Sequence, residues 1–184
     1  LPISILSVPL LREPELSRSK QPYLQQLIYG FRPSVIRANG KLYTALTALF
    51  ILSASTQVWM PYLIVYFTDF LKIENYAPLL GLVILLGSAA GVLGGRLLDK
   101  RGKLSMAPPA LILAVAGLAA MAAARQTVWV AVSGFLMLAG NLVLSALING
   151  LVRDYTPQGM AGRFQGIRMI FGVMLPMVTA PYLG

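Results

Sequence analysis

The stretch GGRLLDKRGK, residues 94–103, gathers Arg96, Asp99, Lys100, Arg101 and Lys103 into one short run. Residues 75–95 before it and 104–124 after it carry no charge. About 20 apolar residues of helix cross the hydrocarbon of a bilayer, so each flank is long enough to span. The stretch therefore reads as a tight polar turn joining two membrane helices. The bases hold such a turn at the membrane surface, but that does not explain why one acid stands among four of them.

The rest of the chain agrees with a membrane setting. Of 184 residues, 57% are hydrophobic and 11% are charged. Soluble domains carry about 25% charged residues, which they need to cover a core. The mean hydropathy is +0.73. Cysteine and histidine are absent, which rules out thiol catalysis, disulfides, the usual zinc sites and a Ser-His-Asp triad. No cofactor is expected. The net charge of +9 shows no basic face apart from the loops between apolar runs, so it is assigned to membrane orientation and not to nucleic acid.

Five segments are expected to span: about 42–67, 79–98, 106–124, 127–152 and 167–184. They are too long for strands and lack alternation of polar and apolar residues. Pro61, Pro176 and Pro181 fall within them, as membrane helices permit. The chain opens at Leu1 with an apolar run too short to span and without a signal peptide's basic start, and it closes inside another apolar run. Residues 1–11 are therefore expected to end a preceding transmembrane helix. Residues 12–41 form a central linker and residues 42–184 a partial bundle, the whole being an internal piece of a longer protein. PYLQQLIYG, residues 22–30, reads either as plain linker or as a short surface helix with Tyr23, Leu24, Leu27 and Ile28 on its apolar side.

The bases set the orientation. Arg12, Arg18, Lys20, Arg32, Arg37 and Lys41 precede the first span. Arg96, Lys100, Arg101 and Lys103 follow the second, and Arg153, Arg163 and Arg168 follow the fourth. Only Lys72 and Arg125 fall on the other side. The positive-inside rule then places the N-terminal segment and the charged connections in the cytoplasm of a multi-pass protein of the cell membrane.

Polar residues within the spans are uneven. The third segment has no Ser, Thr, Asn or Gln. The first has Ser53, Ser55, Thr56 and Gln57, and the fourth has Asn141, Ser145 and Asn149. A spacing of four puts Asn141, Ser145 and Asn149 on one side of a helix, and likewise Ser53 and Gln57. Two roles fit: a polar path between the first and fourth helices, or hydrogen bonds that join helices. The contrast with the apolar third helix favours the path, with Gln57 and Asn141 nearest mid-span and Asn149 nearer a gate. In the second segment Gly87, Gly91 and Gly95 are spaced for close helix packing. No span carries an acid or base at its middle, so any carboxylate that couples transport to H+ or Na+ is expected outside this chain.

Asp99 stands at the C-terminal end of the second span, where the helix dipole disfavours an acid. It is better placed capping the N-terminus of a different helix, or as a loop acid balancing nearby bases. Here the motif resembles a known one. Gly95-Arg96-Leu97-Leu98-Asp99-Lys100-Arg101-Gly102-Lys103 is similar to the loop signature G-x-x-x-D-R/K-x-G-R/K of the major facilitator superfamily, with Leu104 where a further base often follows. VRDYTPQGMAGRFQG, residues 152–166, resembles that family's connection between the fourth and fifth helices of a half, through Arg153, Asp154, Thr156, Pro157, Gly162 and Arg163. LREPEL, residues 11–16, resembles the run from its sixth helix into the central loop.

The resemblance implies an all-α membrane protein whose five helices are the seventh to eleventh of a twelve-helix transporter. It implies a secondary transporter moving a small polar solute by alternating access, with sugar–cation symporters as one branch. It implies that the first and fourth helices line the central cavity and the third lies outside, as the polar residues also indicate. It further implies that Asp99 latches onto a helix of the N-terminal half, which lies outside this chain. The expected partners are thus the solute, H+ or Na+, the lipid bilayer and that other half. A sensor or receptor on the same fold would share these features. A membrane enzyme, such as a lipid-modifying transferase, would need paired acids or histidines near the interface, and no paired motif is present.

Overall fold

The computed structural model describes residues 31–66, 69, 76–157 and 160–183. Residues 1–30, Lys72 and the side chain of Arg163 lie outside the described residues, and with them the expected helix end, most of the linker and the PYLQQLIYG segment. The described chain is helical, and five helices among its residues are long and apolar enough to cross a membrane.

A short helix α1, Pro33–Ala38, leads into α2, Gly40–Val65. Pro33 suits a first turn because its missing N–H is not needed there. Asn39 separates the two helices, and its side-chain amide donates to Val35 O at 3.0 Å. Next come α3, Tyr76–Arg101, and α4, Lys103–Ala123. The fourth span is α5, Thr127–Tyr155. The fifth is continuous but irregular: α6, Ala161–Met169, a π-helical turn at Ile170–Met174, and α7, Leu175–Leu183. The helices α3 and α5 run about a turn further toward the charged end than the apolar runs indicated. Charged side chains there extend into water while the backbone stays hydrogen-bonded.

The charged turn that opened the sequence is almost wholly helical. Between α3 and α4 a single residue, Gly102, reverses the chain at φ 88° and ψ 141°. That region is open essentially to glycine alone. The Gly102 N–H still donates to Leu98 O at 3.0 Å, and the Ser105 hydroxyl donates to Arg101 O at 2.6 Å. Carbonyls orphaned at the end of α3 are thereby satisfied.

The π turn has a local cause. Pro176 lacks an N–H, and its ring would strike the carbonyl four residues back, at Gly172. Widening the preceding turn relieves this, and the Leu175 N–H donates to Ile170 O, five residues back. Gly172 then lies against α2, where an added Cβ would sit 3.2 Å from Leu49 Cδ2.

The bundle is organised around α5, which packs on α2, α3 and α4. Half of its apolar stretch is buried, against 17% for α4 and 11% for α3. One apolar cluster, with Leu46, Leu98, Leu147 and Ile167, fills the charged end of the bundle. A second, with Met121, Val130 and Met137, fills the other end beside Trp59 and Leu63. There the Tyr66 hydroxyl lies 2.8 Å from Met121 O, which also accepts the Ala124 N–H, and 3.0 Å from Ala124 O, at the end of α4.

The glycines of α3 differ from the expected stripe in one position. A Cβ at Gly87 would lie 3.3 Å from Leu138 Cβ, and one at Gly91 would lie 3.2 Å from Leu142 Cβ, both on α5. At Gly95 it would meet nothing within 4 Å, whereas Gly94 faces Val143. An α-helix repeats every 3.6 residues, so a second step of four turns past the seam and a step of three returns to it.

Candidate functional site

Two polar groups stand along α5. Near mid-span Asn141 Nδ2 donates to Thr56 Oγ1 on α2 at 3.2 Å. The Thr56 hydroxyl in turn donates to Leu52 O at 2.9 Å. This chain of bonds ties α2 to α5 in the apolar middle of the bundle. Ser53, Gln57 and Ser145 are half-buried nearby in sequence, and among the described residues their side chains have no hydrogen-bond partner.

The second group lies toward the charged end. Asn149 Nδ2 donates to Ser145 O at 2.8 Å, and Arg168 Nη2 on α6 donates to Asn149 Oδ1 at 2.7 Å. The amide is thus oriented by both neighbours, its oxygen toward the guanidinium. A cavity of about 490 Å³ opens here between α2, α5 and α6. Leu42, Leu46 and Phe164 form its apolar wall, and Asn149, Arg153 and Arg168 its polar one.

The two loop motifs meet at the same end. Lys103, the first residue of α4, pairs with Asp154 in the last turn of α5, with Nζ 2.5 Å from Oδ2. The lysine stem crosses Gly150, where an added Cβ would lie 3.1 Å from Lys103 Cε. Exposed ion pairs of this kind contribute about 1 kcal/mol or less, so the pair sets geometry more than stability. Asp99, Lys100 and Arg101 are exposed, and Asp99 has no ion-pair partner among the described residues. Of the second motif, Thr156 and Pro157 line the cavity with Arg153, and a Cβ at Gly162 would meet nothing within 4 Å.

The structure thus brings Asn141 to α2 but joins it to Thr56, which a search for residues spaced by four passes over. It also draws Arg168 beside Asn149. In sequence Arg168 reads only as one more base on the positive side. The Lys103–Asp154 pair joins residues 51 apart, and no local pattern announces it. The hint was that Asp154 is one of only six acids in the chain and stands at a helix end.

A comparison with curated proteins and one with solved structures each found no match. The family profile described as Major Facilitator Superfamily matches residues 1–181. That match takes in both loop motifs, four spanning helices and nearly all of the fifth, so the chain is a multi-pass membrane protein belonging to the major facilitator superfamily of transporters.

Proposed function

We propose that the chain forms part of a secondary active transporter that moves a small polar solute by alternating access, with the solute passing beside α2 and α5. The observation that carries this is the Asn141–Thr56 bond between α2 and α5, two helices that hold further amides and hydroxyls, against an α4 that has none within its apolar run. Neutral donors and acceptors in a low-dielectric setting suit a polar, uncharged group such as a hydroxyl or amide. Ser53 and Gln57 are the contacts offered by α2. Asn141 is held by Thr56 and would exchange that bond for one to solute. Coupling to H+ or Na+ would draw on a carboxylate outside the five spans.

The test is solute affinity and uptake in the full-length protein for Gln57→Ala and Asn141→Ala. Ile112→Ala is the control, since Ile112 is 66% exposed on α4. Loss of one solute hydrogen bond is expected to weaken affinity by about 0.5–1.5 kcal/mol, or roughly two- to tenfold. If both variants match the control, the amides serve only to join helices. Ligand binding without flux into vesicles would indicate a sensor on this fold.

The same reading places the charged end of the bundle in the cytoplasm, in the cell membrane. The chain has no cysteine, so single cysteines can be introduced without background. Cysteine at position 72 is expected to react with a membrane-impermeant thiol reagent on intact cells, and cysteine at positions 103 and 163 to react only after permeabilisation. Reaction at 103 but not at 72 would reverse the orientation.

A further inference from the structure

The cavity at the charged end combines features that the solute path does not use. Arg153 on α5 and Arg168 on α6 both line it, and no acid does. The nearest acid along α5, Asp154, is engaged by Lys103. Arg168 spends one of its five N–H donors on Asn149, a neutral acceptor, so its charge is not compensated there. Arg153 forms no ion pair among the described residues. Thr156 donates its hydroxyl to Val152 O, which leaves its lone pairs, the Gln165 amide and the two guanidinium forks facing the cavity.

Two guanidinium groups facing one cavity repel each other, and the apolar wall of Leu42, Leu46 and Phe164 limits screening by water on one side. An anion between them removes that repulsion. Planar forks match the oxygens of a phosphate or carboxylate two at a time. The Asn149 amide, fixed at both ends, holds the Arg168 fork in place in advance. The geometry points to a binding site for an oxyanion of the phosphate type in this cavity, held by Arg153 and Arg168 and positioned by Asn149. The site lies toward the charged end from the polar path at mid-span, between the same α2 and α5 and with α6 as its third wall. Its ligand is either a free anion in solution or the headgroup of an acidic phospholipid, because the cavity lies at the end of the helices where the membrane surface is.

Both sources can be tested on the purified full-length protein. In detergent, inorganic phosphate is titrated against thermal unfolding, and a saturable rise in melting temperature is expected. Arg153→Gln and Arg168→Gln should each weaken phosphate roughly tenfold or more, and Arg168→Lys should recover part of the loss. Arg96→Gln, outside the cavity, should leave the affinity unchanged. Arg153 is exposed, so Arg153→Gln is expected to fold normally, which circular dichroism checks. In nanodiscs of zwitterionic lipid doped with phosphatidic acid, native mass spectrometry reads retained lipid. Arginine-dependent retention identifies a headgroup, and arginine-dependent phosphate binding without retention identifies a soluble anion. The proposal is overturned if neither ligand binds, or if binding is indifferent to both arginines, or if Arg96→Gln reduces it equally.

Discussion

Gly140→Ala is expected to force α4 and α5 apart and to lower the melting temperature of the purified full-length protein sharply. A Cβ at Gly140 would lie 2.5 Å from Ala114 N and 2.7 Å from Ala114 Cα. These are backbone atoms, which cannot rotate away. The contact is reciprocal, because a Cβ at Gly117 on α4 would lie 2.7 Å from Met137 Cα and 2.9 Å from Leu136 C on α5. Ordinary carbon contacts need about 3.5–4.0 Å, so the helices must separate by on the order of an ångström. In the membrane, helices associate through close packing and not through hydrophobic exclusion, so such a gap removes the main attraction between them. Overpacking typically destabilises by about 1–3 kcal/mol, and the effect should exceed that in Gly117→Ala/Gly140→Ala. The two glycines serve one interface, so their effects should not simply add. Gly81→Ala is the control: its Cβ would meet nothing within 4 Å, and replacing an interior helical glycine gains about 0.5–1 kcal/mol. Equal melting temperatures for Gly140→Ala and Gly81→Ala would refute the close approach.

Asp99→Asn in the full-length protein is expected to impair transport severalfold without reducing membrane insertion. Asp99 lies in the last turn of α3, exposed, where the helix dipole disfavours its charge. Lys103, four residues on, pairs with Asp154. Asp99 is therefore left facing outward from this bundle. The proposal is that it caps a helix of the other half and so holds the cytoplasmic side closed. A charge-assisted cap contributes about 0.5–2 kcal/mol, and removing it should raise cytoplasmic accessibility of the solute path severalfold. The opposite outcome has its own signature. If Asp99 only balances neighbouring bases, Asp99→Asn relieves the unfavourable dipole interaction, leaves kinetics and accessibility unchanged, and stabilises the helix slightly.

The five spans, the charged end and the family signature were legible in the residues because each is a local property. A run of about 20 apolar residues must be helical in lipid, whatever surrounds it, since its backbone has no other partner. Gly102 had to be glycine at a one-residue reversal, and the motif marks it. Contacts between helices were another matter, because they depend on how each helix is rotated and how deep it sits. Periodicity put Asn141, Ser145 and Asn149 on one side of α5 but did not name Thr56 as the partner of Asn141, or Arg168 as that of Asn149. It suggested Gly95 for a seam that Gly94 occupies. It gave no sign that Gly117 and Gly140 mark a close backbone approach of α4 and α5, since an isolated glycine in an apolar run looks the same whether it faces lipid or a neighbour. The sequence by itself determined which of the described segments are long and apolar enough to cross and which end is charged, through hydrogen-bond satisfaction and the placement of bases. Only the tertiary structure decided that Lys103 is neutralised by Asp154, because that pairing requires the start of α4 and the end of α5 to lie side by side.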